Sequence, residues 1–91
     1  MKENQIIQGC KKNERKAQKV FVEKFSPYIF TICRRYVIEE FAAQDCLQNS
    51  LVQVLMNIKK YEESGSFKGW VSKVTVRKCL EYLRKNKKHN H

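Results

Sequence analysis

The residues in this sequence whose types and spacing suit them to chemistry are a row of cations beside one aromatic ring. Lys73, Arg77, Arg84 and Lys88 recur at i, i+4, i+11 and i+15, which lines them along one side of an α-helix. Ser66, Gly69 and Trp70 fall on or beside that side, near its N-terminal end. Cations in a row follow a phosphate backbone, and a flat ring next to them takes an unstacked base. The chemistry is capture of single-stranded nucleic acid, with no bond made or broken. Against it stands the plainer expectation that the cations merely solvate a helix and that Trp70, taken alone, is a core residue.

A second set lies on a helical wheel of residues 41–61. Leu47, Leu51, Val54, Leu55 and Ile58 make one apolar stripe, as expected of a core-facing helix. The opposite arc holds Asp45, Gln48, Asn49, Val52, Gln53 and Met56. A merely solvated arc would carry Lys and Glu; amides, one carboxylate and two apolar groups are closer to a docking surface. Scattered exposed apolar residues are the alternative. Enzymatic groups are missing from the pattern: there is no phosphate loop, no catalytic carboxylate pair and no nucleophile motif, and both histidines sit in the last three residues. No cofactor is implied.

The elements that must position these groups are helices. Three glycines and one proline interrupt the chain, and alternating β-branched residues are absent. The expectation is an all-α fold, a compact bundle of three to four main helices. The first covers about residues 3–11, with Ile6, Ile7 and Cys10 on one side. Asn13 is a plausible N-cap for the next, whose stripe is Ala17, Val20, Phe21 and Phe25. Ser26-Pro27 reads as a restart, followed by Ile29, Ile32, Cys33 and Tyr36. The pattern leaves open whether residues 13–37 form one kinked helix or two. Glu39 and Glu40 suit the start of a third helix running to about Tyr61. Glu62–Ser66 is a loop, and Ser66 caps a last helix over about residues 67–85. On that helix Phe67, Val71 and Val74 face inward, and Val76, Cys79, Leu80 and Leu83 make a second apolar arc.

Ninety-one residues, 42% of them apolar, make one domain with a thin core. Nineteen Lys and Arg against nine Asp and Glu give +10, a field that favours a polyanionic partner. Cys10, Cys33, Cys46 and Cys79 show no C-x-x-C and no Cys/His cluster, so they read as reduced thiols packed as small hydrophobes. The opening is polar and no apolar run approaches the roughly 18 residues of a membrane span. The expected location is the cytoplasm.

Five segments in order resemble the N-terminal region 2 domain of extracytoplasmic-function sigma factors. Ala43-Gln44-Asp45-Cys46-Leu47-Gln48-Asn49 resembles that family's A-E-D-hydrophobic-hydrophobic-Q-E run, and Ser66-Phe67-Lys68-Gly69-Trp70-Val71 its S-F-x-x-W-L segment. Leu80 to Lys85 is similar to L-D-x-L-R-K/R, Phe25 to Phe30 to Y-x-P-x-(L/V)-(Y/F), and Ile6 to Ala17 to the family's opening. The correspondence runs without gaps over nearly the whole chain.

The resemblance implies two surfaces. One binds the clamp helices of the largest subunit of core RNA polymerase, through Asp45, Gln48, Asn49, Val52 and Met56. The other captures the melted non-template strand of the promoter minus-ten element, with a base flipped into the loop before the last helix. Ser64, Gly65, Ser66, Lys68, Trp70, Lys73, Arg77 and Arg84 are the expected DNA-binding residues. An anti-sigma protein is a further implied partner. Asn49 replaces the family's usual Glu, Leu51 its Phe, and Arg77 its common Asn, so base preference does not carry over. Residues 1–86 would be the domain and 87–91 a basic tail that frays. The helix-turn-helix domain of region 4 is missing, so the chain reads as a piece of a longer protein. From another class, the alternative is a degenerate sigma-like interaction module that holds polymerase or an anti-sigma protein without opening DNA.

Overall fold

Ile6, Ile7 and Cys10 give the first helix, α1 (Glu3–Lys11), its apolar side, and all three are buried in the computed structural model. That structure describes residues 1–89, with side chains through Lys87. Three longer helices follow: α2 (Arg15–Tyr36), α3 (Glu40–Asn57) and α4 (Phe67–His89), with a 3-10 turn, Ile58–Lys60, closing α3. No strand occurs among the described residues, and the all-α bundle expected from the sequence is the fold found. The long axis reaches 46 Å against 22 and 19 Å across, because α2 and α4 run past the shorter elements.

The α1–α2 turn corrects the role given to Asn13. Its φ is 61°, in the left-handed region where Asn is one of the few tolerated residues. Asn13 N–H donates to the Cys10 carbonyl and Glu14 N–H to the Gly9 carbonyl, at 3.0 and 2.9 Å. These two bonds satisfy the carbonyls that the end of α1 would leave orphaned, so Asn13 terminates α1 rather than capping α2. Glu14 occupies the N-cap position of α2.

Residues 15–36 form one helix, with Pro27 inside it. Proline removes a backbone donor and costs an isolated helix about 3 kcal/mol. Phe21 and Phe25 before it, and Ile29 and Cys33 after it, are all buried in the same core, so packing holds both halves on one axis. Pro27 itself is on the exposed side. At the start of α3 the Glu39 carboxylate accepts from Phe41 N–H at 3.2 Å and Ala42 N–H at 2.6 Å. The acidic pair thus begins the helix through a side-chain cap as well as through charge.

The stripe expected on α3 is partly rotated. Leu51, Val54 and Ile58 are buried, whereas Leu47 and Leu55 are half-buried; Ala42, Ala43, Cys46 and Ser50 complete the inner face. Because α3 packs against both α2 and α4, its buried arc centres between its two partners and reaches the small residues. The Ser50 hydroxyl donates to the Cys46 carbonyl and the Thr75 hydroxyl to the Val71 carbonyl, so neither buried polar group is left unpaired. On α4, Phe67 and Val71 are buried and Val74 half-buried. The second arc divides: Cys79 is buried, while Leu80 and Leu83 are exposed. Helix α4 continues to His89, past the end expected near Lys85 and into the tail expected to fray from Lys87. Asn90 and His91 lie outside the described residues.

Candidate nucleic-acid interface

The Glu62–Ser66 loop is built on an aromatic ladder that climbs out of the core. Phe25 meets Phe67 edge-on at 5.3 Å, Phe67 meets Tyr61 at 5.3 Å, and Tyr61 meets the Trp70 ring at 5.1 Å. Tyr61 is buried and its hydroxyl donates to the Gly65 carbonyl at 2.8 Å, which pins the loop across its own base. From α1, the Lys11 ammonium donates to the Tyr61 carbonyl at 2.8 Å and the Gln8 amide to the Glu63 carboxylate at 2.7 Å. Ser66 caps α4 as expected, its hydroxyl accepting from Gly69 N–H at 3.1 Å. The loop is therefore held at both ends and from beneath.

Beside it opens a concavity of about 530 Å³, lined by Lys60, Tyr61, Glu62, Ser64, Gly65, Ser66, Gly69, Trp70 and Lys73. Trp70 resolves the choice posed by the sequence in both directions: it is half-buried against the core and forms a wall of the concavity. On its other side is a smaller concavity of about 200 Å³ that shares Lys60 and Trp70 and adds Gln53, Asn57, Val74, Arg77, Lys78 and Glu81. Lys73, Arg77 and Arg84 are exposed along one side of α4. At 1.5 Å per residue, Arg77 lies about 10 Å and Arg84 about 21 Å along the axis from Trp70. The side chain of Lys88, expected to extend this row, lies outside the described residues.

Of the residues expected here, Ser64, Gly65, Ser66, Trp70 and Lys73 come together around one concavity, with Arg77 next to it. Lys68 does not join them. Its ammonium stands over the Tyr28 ring of α2, 4.9 Å from the centroid, because one helical position past Phe67 turns it away from Trp70. Gly69, placed beside the cation row by the sequence, joins the lining, whereas Lys60 and Tyr61 were missed. An aromatic directly before a Gly/Ser loop, with a cation before it, was the available signal, but assigning Tyr61 to the end of α3 hid it.

On α3, Asp45, Gln48, Asn49, Val52 and Met56 are all exposed, Val52 at 54% and Met56 at 73%. Phe41, 75% exposed and one turn before Asp45, extends the same face; the i, i+4 spacing was the signal for it. In a chain with nineteen Lys and Arg, α3 contains none. Asp45 has no ion-pair partner among the described residues, where Lys78–Glu81 at 3.6 Å is the ion pair present. This face is a neutral-to-acidic strip on a basic molecule.

All four cysteines are free and buried. Cys33, Cys46 and Cys79, from α2, α3 and α4, meet in the core, with Cys79 within hydrogen-bonding reach of the other two. Burial, reinforced by the neighbouring thiols, pushes Cys46 up to about 11 and Cys79 up to about 12. They are protonated near neutral pH and so lack the thiolate that nucleophilic or metal chemistry requires. Among the described residues no cluster of His, Cys, Asp and Glu could hold a metal ion. None of the described helices is long and apolar enough to cross a membrane.

The profile of the Sigma-70 region 2 family matches residues 21–89, and the chain belongs to that family. It is 32% identical over 91 residues to the RNA polymerase sigma factor SigI7 of Acetivibrio thermocellus, covering 96% of this chain and 38% of that protein. The chain thus spans well under half the length of this curated relative. Among solved structures it resembles an engineered region 2 of sigmaE, determined by NMR in complex with GTAAAA. The TM-score is 0.86 over 98% of this chain and 97% of that one, and the 17% identity makes the likeness one of fold.

Proposed function

We propose that this chain is the polymerase-binding and promoter-melting domain of a sigma factor of the extracytoplasmic-function type. The observation that carries the proposal is the concavity walled by Trp70 and Tyr61 and flanked by Lys60, Lys73 and Arg77, within a Sigma-70 region 2 fold. Trapping an unpaired strand there would open DNA by shifting the equilibrium between duplex and melted states. Unstacking a base costs a few kcal/mol, while aromatic stacking returns about 1–3 kcal/mol per base and cations along α4 hold the flanking phosphates. The likeness to a region 2 solved with a short A-rich oligonucleotide supports the same mode of binding here. Glu62 lines the concavity as an acceptor, which repels phosphate but suits a donor on a base edge.

The second surface is the cation-free outward face of α3, which docks on the clamp helices of core RNA polymerase. Asp45 and Gln48 meet basic and polar groups, and Phe41, Val52 and Met56 supply desolvated area. An anti-sigma protein would compete for the same faces.

The test measures two affinities for the wild type and for Asp45→Ala: binding to core polymerase, and binding to a fluorescent promoter strand against a scrambled strand. Asp45→Ala should bind polymerase at least about tenfold more weakly, equivalent to 1.4 kcal/mol. It should melt like the wild type, because Asp45 is exposed. Equal polymerase affinity would remove the α3 assignment. Equal binding of promoter and scrambled strands would leave the interaction module as the better account.

A further inference from the structure

Two adjacent carboxylates, Glu62 and Glu63, open the loop before α4, and the fold sends them to opposite sides of it. Glu62 lines the concavity of about 530 Å³ that Trp70 walls, and so does Ser64. Glu63 lines a different hollow, of about 370 Å³, between the loop and Glu3, Asn4 and Ile7 of α1. On the α1 side its carboxylate accepts from the Gln8 amide at 2.7 Å, a contact that spans 55 positions of the chain. Gln8 is half-buried, Glu63 is exposed and neither belongs to the hydrophobic core, so the bond contributes little to folding. Two other bonds fix the loop, from Lys11 to the Tyr61 carbonyl and from the Tyr61 hydroxyl to the Gly65 carbonyl, each at 2.8 Å. Both hold backbone. Of the three, the Gln8 bond is the one that acts on a side chain of the acidic pair.

We infer that Gln8 is a positioning residue for base selection: by holding Glu63 against α1, it keeps a single carboxylate, Glu62, in the concavity. The inference rests on the strand-capture reading proposed above. An ionised carboxylate only accepts hydrogen bonds, so it rewards a donor on a base edge and repels phosphate and base-edge acceptors. One such group at a fixed place in the wall therefore discriminates among bases. A second, swung in from an untethered Glu63, adds repulsion against phosphate, which every nucleotide carries. It also offers base-edge donors an acceptor at no fixed place. Both effects blunt the difference between one base and another. Phosphate contacts position a strand while base edges specify it, so loss of the tether falls on selectivity rather than on the attraction supplied by Lys73 and Arg77.

The bond can be broken and rebuilt without changing a residue that lines the concavity. Gln8→Ala removes the donor, and Gln8→Glu sets one carboxylate against another. Exchanging the pair, Gln8→Glu with Glu63→Gln, restores an amide–carboxylate contact at the wild-type net charge of +10. The probes are short fluorescent thymidine strands that differ only in one central base, dA, dC, dG or dT. Anisotropy titrations give each protein the ratio of its tightest to its weakest affinity, and repeating them at several salt concentrations gives the salt slope. In Gln8→Ala and in Gln8→Glu the ratio should fall at least halfway to one, and the exchange should return it to the wild-type value. The salt slope, which counts phosphate contacts, should be unchanged in Gln8→Ala. A wild-type ratio in Gln8→Ala overturns the inference. So does a ratio lost in Gln8→Glu that the exchange fails to recover, because the effect then belongs to something other than the bond. A lower salt slope in Gln8→Ala assigns the change to a displaced strand path and overturns it as well. If the wild type itself shows a ratio of one, base capture has failed and the inference with it. If the wild type discriminates and both single variants do so equally well, the tether alone has failed.

Discussion

Replacing Gly9 by alanine is expected to loosen, from a distance, the Glu62–Ser66 loop proposed above to bind DNA. A Cβ built at Gly9 would lie 2.4 Å from the Ala17 Cβ, where two carbons prefer about 3.5–4.0 Å. Both groups are methyls without rotamers, and Ala17 is fully buried, so neither can turn aside. The Glu14 carboxylate, 3.0 Å from the same point, can swing away. Helices α1 and α2 must therefore part by about 1 Å, an overpacking strain of about 1–3 kcal/mol. Alanine returns about 0.8–1.0 kcal/mol of helix propensity. The net loss is up to about 2 kcal/mol, or up to about 15 °C in Tm for a domain of this size.

Because Gln8 and Lys11 of α1 hold Glu63 and the Tyr61 carbonyl, the shift should also slacken the loop. Promoter-strand selectivity should then fall more than total affinity, which the cations of α4 maintain. Adding Ala17→Gly reopens the space, so the double variant should be more stable than the sum of the two single changes by about 1 kcal/mol or more. Circular dichroism melts and strand titrations on the four proteins supply the cycle. A Gly9→Ala protein that melts above the wild-type temperature, with no coupling to Ala17→Gly in the cycle, would refute the close approach and its link to the loop.

Lys73→Ala and Arg77→Ala should each lower the slope of log affinity against log salt by about 0.7 if each contacts one phosphate of a single strand, whereas Lys68→Ala, turned toward Tyr28, should leave the slope unchanged. Leu51→Ala should cost about 2–5 kcal/mol as a buried truncation, with the half-buried Leu55→Ala costing less, as read from urea melts. Stability should also fall above about pH 9. Cys46 and Cys79 keep their protons in the folded chain while the unfolded chain releases them, so the folded state binds more protons there. The slope approaches about 1.4 kcal/mol per pH unit per thiol as pH climbs toward the folded values, and Cys79→Ala should flatten it.

Much of this domain was legible in its residues because local rules decide it. The inward faces of α1 and of the first half of α2, the Ser66 cap and the outward position of Asp45, Gln48, Val52 and Met56 all follow from periodicity and short-range hydrogen bonding. So does the basic side of α4, since i, i+4 and i+11 share a side of any helix whatever it packs against. Other features depended on what stood opposite. Pro27 stays within a helix because a common core grips α2 on both sides of it, and Asn13 turns left-handed because α1 must reverse onto α2. The burial of α3 follows two neighbours rather than one, which moved its centre toward Cys46 and Ser50. Sequence alone determined which side chains could meet a nucleic acid or a partner helix. The tertiary structure decided which of them stand together: Trp70, Tyr61 and the loop converge because an aromatic ladder rises from the core, and Lys68 is diverted to a ring on α2. Such convergence depends on contacts between residues far apart in the chain, which no periodicity encodes.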